Sequence, residues 1–210
     1  GSTASLYSSL GFNLSQLNRY SDGKYFLDKA YQLYENLDDS SNIAVSLKNM
    51  GFYYADLGYL ALAEDNYKRS LKISFSQGDS TNIAAVLSSW SIVYSNKGQY
   101  DLAEKACLKA LKFDKINVSV TYNNLGLVYS AWGLYDKAMD YYLKSLALKE
   151  EMGVSDLSSQ LNNIANVYEQ KGDYEKSLEY YKKSLSNAET IGADAYFEAI
   201  IINIMRTYYN

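Results

Sequence analysis

Leu47-Lys-Asn-Met-Gly-Phe-Tyr-Tyr54 returns along the chain as Leu87-Ser-Ser-Trp-Ser-Ile-Val-Tyr94, Tyr122-Asn-Asn-Leu-Gly-Leu-Val-Tyr129 and Leu161-Asn-Asn-Ile-Ala-Asn-Val-Tyr168. A glycine follows each copy at the same distance: Gly58, Gly98, Gly133 and Gly172. A second block comes next, Tyr100 to Leu111, Tyr135 to Leu146 and Tyr174 to Leu185. An earlier, degenerate copy keeps register as Tyr7, Leu10, Gly11, Leu14, Tyr20, Gly23, Leu27 and Ala30. Self-similarity at such a period marks a stacked-repeat architecture, in which each unit buries its apolar face on the next.

The small residue inside the first block falls at Gly11, Gly51, Ser91, Gly126 and Ala165, spacings of 40, 40, 35 and 39. One more period reaches Met205, with Ile201, Ile204 and Tyr208 at the large positions. Both blocks have helical periodicity. Leu87, Trp90 and Tyr94 recur at i, i+3, i+7, and Ala103, Ala106, Ala110 and Leu111 at i, i+3, i+7, i+8. The expected fold is therefore all-α: a right-handed superhelical solenoid of antiparallel helix pairs, five pairs and one extra helix. The repeats run over about 4–37, 43–77, 83–114, 118–152 and 157–190, with a half repeat at 194–210, in one domain, 3–210. Gly1-Ser2 reads as a cloning scar, and the chain as an excerpt of a longer protein. Gly51, Ala63 and Ser70 are expected to let paired helices approach closely. The four glycines should close first helices in left-handed conformation. Asp101, Asp136 and Glu175 should sit in first turns, and the stretches Gly78 to Asn82 and Gly153 to Asp156 should supply N-caps.

Composition removes several function classes. Net charge is −4 and no block of like charges occurs, so a nucleic acid partner, which needs a concentrated basic footprint, is not expected. The longest apolar stretch, Ala195 to Met205, is broken by Glu198 and Asn203 and falls short of about 30 Å of hydrocarbon, so no membrane span is expected. The 210 residues contain no histidine, which removes the commonest general base and metal ligand. Cys107, the single cysteine, falls where other second helices have Tyr67, Tyr142 and Tyr181, a packing position. The chain is accordingly expected to be no enzyme and to need no cofactor or metal. A cytoplasmic setting is favoured.

The pattern resembles the tetratricopeptide family, whose signature of a large residue, Leu-Gly, Tyr, then Ala and an aromatic spans nearly the whole chain. Two departures are clear: no proline closes the repeats, and most run near 40 residues. This is similar to the long-repeat branch of kinesin light chains, spindle-orientation scaffolds, bacterial peptide-pheromone receptors and bacterial regulators. The resemblance implies a groove lined by the first helix of each pair, holding a protein or peptide ligand. Asn49, Ser89, Asn124, Asn163 and Asn203 stand just before the large-small pair, and Lys48, Asn123 and Asn162 one place earlier. Such a column of amides could grip a peptide backbone, as long-repeat members do, or satisfy the neighbouring repeat. After the small residue come Phe12, Phe52, Ile92 and Leu127, then Asn166 and Arg206, either a groove that turns from apolar to polar or inter-repeat packing. The clamp that co-chaperone members use on acidic tails is absent, since of Lys48, Phe52, Ser89, Val120 and Asn124 only Lys48 conforms. A peptide-binding scaffold is the leading expectation. A sensory or regulatory module of a longer signalling protein is the alternative, and self-association through the apolar C-terminal helix is a further one.

Overall fold

A computed structural model describes residues 2–192 and 197–209. Gly1 of the expected scar, the start of the half repeat at 194, and Ala195 and Asn210 lie outside the described residues. The described chain is helical, with no strand. In order come α1 (Ser2–Gln16), α2 (Tyr20–Asn36), α3 (Ser40–Asp56), α4 (Leu60–Gln77), α5 (Ser80–Asn96), α6 (Tyr100–Phe113), α7 (Val118–Ala131), α8 (Tyr135–Glu151), α9 (Ser158–Gln170), α10 (Tyr174–Ile191) and α11 (Phe197–Tyr208). None is long and apolar enough to cross a membrane.

The helices form two compact units, Gly1–Ile116 and Asn117–Asn210. In the first, the antiparallel pairs α1/α2, α3/α4 and α5/α6 stack through α2 on α3 and α4 on α5. In the second, α7/α8 and α9/α10 stack through α8 on α9, and α10 carries α11. First helices touch directly as α1/α3, α3/α5 and α7/α9. The short 35-residue spacing has a local cause: α6 has 14 residues, whereas α4 and α10 have 18.

Three-residue connections hold each pair antiparallel. At the end of α3, Gly58 takes φ +77°, and the Tyr59 N–H donates to the Tyr54 carbonyl at 2.8 Å, closing the orphan carbonyls of the last turn. In the first pair Asn18 (φ +59°) does the same work, since asparagine tolerates this region better than other side-chain-bearing residues. Asp39, Asp79 and Asp173 cap α3, α5 and α10 by accepting from Asn42 N, Asn82 N and Lys176 N. The cap expected within Gly153 to Asp156 is met in part: Asp156 Oδ1 accepts from the Ser158 N–H at 3.2 Å without holding the N-cap position. Leu157 occupies that position, and Asn187 of α10 accepts from both the Leu157 N–H and the Ser158 hydroxyl at 2.9 Å.

The small residues act in two ways. A Cβ on Gly11 would come within 2.8 Å of Leu27 N and 2.9 Å of the Gly23 carbonyl, so here backbones do approach. A Cβ on Gly51 would instead meet the Tyr67 ring at 2.5 Å, and Gly126 holds Tyr142 in the same way. Ser70 donates to the Ala44 carbonyl at 2.6 Å, and Ser145 and Ser184 bond Ser119 and Ser158 likewise, so these serines fasten the pair.

Candidate functional site

Every fourth or third residue of α1 and α3 faces the same side. In the first unit, Ser5, Ser8, Ser9 and Phe12 line up with Val45, Lys48, Asn49 and Phe52, and Ala85 and Ser89 extend two of the columns on α5. Together with Asn13, Tyr34 and Asn42 they enclose a groove of about 630 Å³, within the usual range of ligand sites. Lys48, Asn49, Phe52 and Ser89, all expected from register, meet here.

The groove has three chemically distinct parts. Phe12 and Phe52 form an aromatic pair with ring centroids 5.3 Å apart. Serine hydroxyls and the Asn49 amide form a polar wall, with Asn49 Nδ2 donating to Ser8 Oγ at 3.2 Å. Its Oδ1 makes no hydrogen bond among the described residues. Lys48 is the one charged lining residue, and it too makes no ion pair or hydrogen bond there. Burial pulls its ammonium below the ordinary lysine range, against the opposing influence of the Asp79 carboxylate.

The amide column spans repeats. Besides Asn49 to Ser8, Asn163 Nδ2 donates to Asn123 Oδ1 at 3.0 Å, and Asn203 Nδ2 to Asn162 Oδ1 at 3.2 Å. In these three rungs the amide holds the neighbouring first helix, the second of the two uses open to it. Asn124 is half-buried on α7, as are Asn162 and Asn163 on α9.

Asn166 and Arg206 belong to a cluster in the second unit. The Tyr181 hydroxyl contacts Asn166 Oδ1 and donates to Glu169 at 2.9 Å, while Arg206 places Nε and one terminal nitrogen on the two Glu169 oxygens, each at 2.8 Å. The guanidinium holds the Glu169 carboxyl below the ordinary carboxylate range. This ties α11 to α9 through Arg206, so Arg206 serves inter-repeat packing, whereas Asn166 contacts the second helix of its own pair. The outer side of α11 is apolar, with Ile202, Met205 and Tyr208 exposed.

Register reasoning missed Val45, Ala85, Asn42 and Tyr34. The first two were findable, one turn before the quoted columns; Tyr34 comes from a second helix, which the period assigns to the opposite layer.

Family models described as tetratricopeptide repeat match residues 2–74 and 82–151, and a further one matches 158–190. The chain belongs to the tetratricopeptide repeat family. No curated protein sequence matches it. Among solved structures, this tetratricopeptide chain is similar to a Rap protein complexed with Competence and Sporulation Factor, at TM-score 0.85 and 14% identity, covering 98% of this chain and 63% of that one. It is similar to a STAND signal transduction ATPase with a tetratricopeptide repeat sensor from Pyrococcus horikoshii, at TM-score 0.72 and 19% identity, covering 97% and 32%. Kinesin light chain repeats of Podosopora anserina align at TM-score 0.62 and 13% identity, covering 92% and 99%. The chain thus spans under two thirds of the Rap protein and about a third of the ATPase. At these identities the likeness is one of fold.

Proposed function

We propose that the chain is a peptide-binding scaffold whose ligand lies as an extended segment in the groove of the first unit. The observation that carries this is the meeting of an aromatic pair, serine hydroxyls, the Asn49 amide oxygen and an unpaired cation on one face of α1, α3 and α5. Aromatic surface supplies affinity, and the polar groups set register along a peptide backbone. The groove offers binding groups and no acid–base or nucleophilic pair, so the proposal assigns no reaction and no cofactor. Tetratricopeptide arrays typically serve protein interaction, and the similar Rap structure is a complex with Competence and Sporulation Factor.

Random dodecapeptides displayed on phage and selected on the whole chain provide the test. Selected peptides should lose binding about tenfold or more when Ser89→Trp fills the groove or Phe52→Ala removes the aromatic pair. Lys109→Ala, on α6, should leave it unchanged. Equal binding by all three variants would overturn the assignment to the groove.

A regulatory role is the second reading, with the array as the ligand-responsive part of a longer protein. The likeness to the Rap protein and to the ATPase with a repeat sensor favours it. The coding sequence on either side of these 210 residues decides it.

A further inference from the structure

In its packing, α11 is the first helix of a further repeat. The Asn203 amide bonds the preceding first helix, Arg206 pairs with Glu169, and Phe197, Ile200 and Ile204 pack inward with Tyr181, Leu185 and Ala188 of α10. In the earlier pairs the small residue of the first helix lies under its second helix, Gly51 under Tyr67 and Gly126 under Tyr142. One period beyond Ala165 that place is held by Met205, which is 54% exposed. At about 100° per residue, Glu198, Ile201, Ile202, Met205 and Tyr208 share one arc of α11, opposite the buried Ile200 and Thr207. All five are exposed. This is the pairing face of a first helix, and no helix among the described residues covers it.

Two features decide what fits the face. Met205 fills the space that other first helices leave for a large side chain, so a second helix of the kind carrying Tyr67, Tyr142 and Tyr181 would clash there. The charges are also arranged for a particular partner. Glu198 stands at the N-terminal end of the face, and at the other end the Lys182 ammonium lies 5.8 Å from the centre of the Tyr208 ring. Neither makes an ion pair or hydrogen bond among the described residues. A face with an acid at one end and a cation at the other complements itself when two copies lie antiparallel.

We propose that α11 pairs with α11 of a second copy of this chain, antiparallel about a twofold axis level with Asn203. That level is midway between Ile201 and Met205, and between Glu198 and Tyr208. Ile201 then meets Met205 of the partner subunit, Glu198 meets Lys182 of the partner subunit, and the twofold repeats both contacts. Each first helix lies antiparallel on its second within the chain, so the dimer extends packing already present. Met205 sets the helix axes near 10 Å apart, the wide end of the usual range. A 12-residue helix is about 18 Å long, which puts the interface in the small, weak class, with dimer forming on the order of tens of micromolar.

Sedimentation equilibrium of the 210-residue chain from about 1 to 500 μM tests this. The wild-type chain should pass from monomer to dimer across the range. Met205→Glu, which sets like charges beside the axis, should raise the dissociation constant about tenfold or more. Glu198→Lys and Lys182→Glu should each weaken the dimer about threefold or more, and the two in one chain should restore it. Helix content by circular dichroism should hold in every variant, since the three side chains are exposed. A monomer at every concentration would overturn the proposal and leave the face to another occupant. A dimer undiminished by Met205→Glu would place the contact elsewhere and overturn it too. Losses that add in the double reversal would overturn the antiparallel pairing. The concentration series needs only the wild-type protein.

Discussion

Leu27, Tyr67, Cys107, Tyr142 and Tyr181 occupy one position of successive second helices, opposite Gly11, Gly51, Ser91, Gly126 and Ala165 of the first. The volumes trade: the serine faces the smallest partner, Cys107, and the two glycines at Gly51 and Gly126 face tyrosine rings. The sequence shows the small residues in register but not what fills the space they leave, which is why their role reads there as backbone approach. Gly11→Ala should cost more in urea denaturation than Gly51→Ala, because backbone at Leu27 and Gly23 cannot yield while the Tyr67 ring can. About 1–3 kcal/mol is expected for Gly51→Ala. Cys107→Tyr should be strongly destabilising alone and largely rescued by adding Ser91→Gly, a coupling that a double-mutant cycle measures. Additive costs would contradict the pairing. Cys107 itself is fully buried, and burial pushes its thiol up to about 11. It should react with a thiol reagent at pH 8 only as fast as the surrounding helices unfold.

At the scale of helices, most boundaries follow from local chemistry and were legible. Gly58, Gly98, Gly133 and Gly172 all take positive φ, and Asp79 caps α5 as its place predicts. The start of α9 was legible only in part: Asp156 accepts from the Ser158 N–H, but the Leu157 N–H goes to Asn187, thirty residues away on a neighbouring helix. Gly98 (φ +70°) has open space where a Cβ would sit, so only backbone strain opposes a side chain there. Gly98→Ala should cost about 1 kcal/mol and Gly98→Asn less, read from thermal melts. The α11 tether is a pH-dependent element. Glu169 has a depressed carboxyl, so its ion pair with Arg206 contributes fully above the unfolded value, about 4.3, and is lost as pH falls through the lower folded value. Arg206 is half exposed, which limits the pair to about 1 kcal/mol. Hydrogen exchange in α11 should therefore rise on acidification below about pH 4. Glu169→Gln should raise it at neutral pH and flatten the response; an unchanged exchange rate in that variant would contradict the tether.

For the whole molecule the period alone was enough to specify helix pairs and, within each unit, a shared face of first helices, since each repeat contacts only its neighbours. It also placed Lys48, Asn49, Phe52 and Ser89 on that face, where they line one groove. The direction of the amides was beyond it: Asn49, Asn163 and Asn203 each spend an N–H on the preceding repeat. Replacing all three with alanine should thus loosen the stack as well as any ligand, and is a poor test of binding. Nuclear magnetic resonance of the isotope-labelled chain with a library-selected peptide tests the central claim most directly. Amide and methyl shifts should cluster on Ser8, Val45, Lys48, Asn49, Phe52, Ala85 and Ser89; shifts confined to α2, α4 and α6 would place the ligand on the opposite layer and contradict the account.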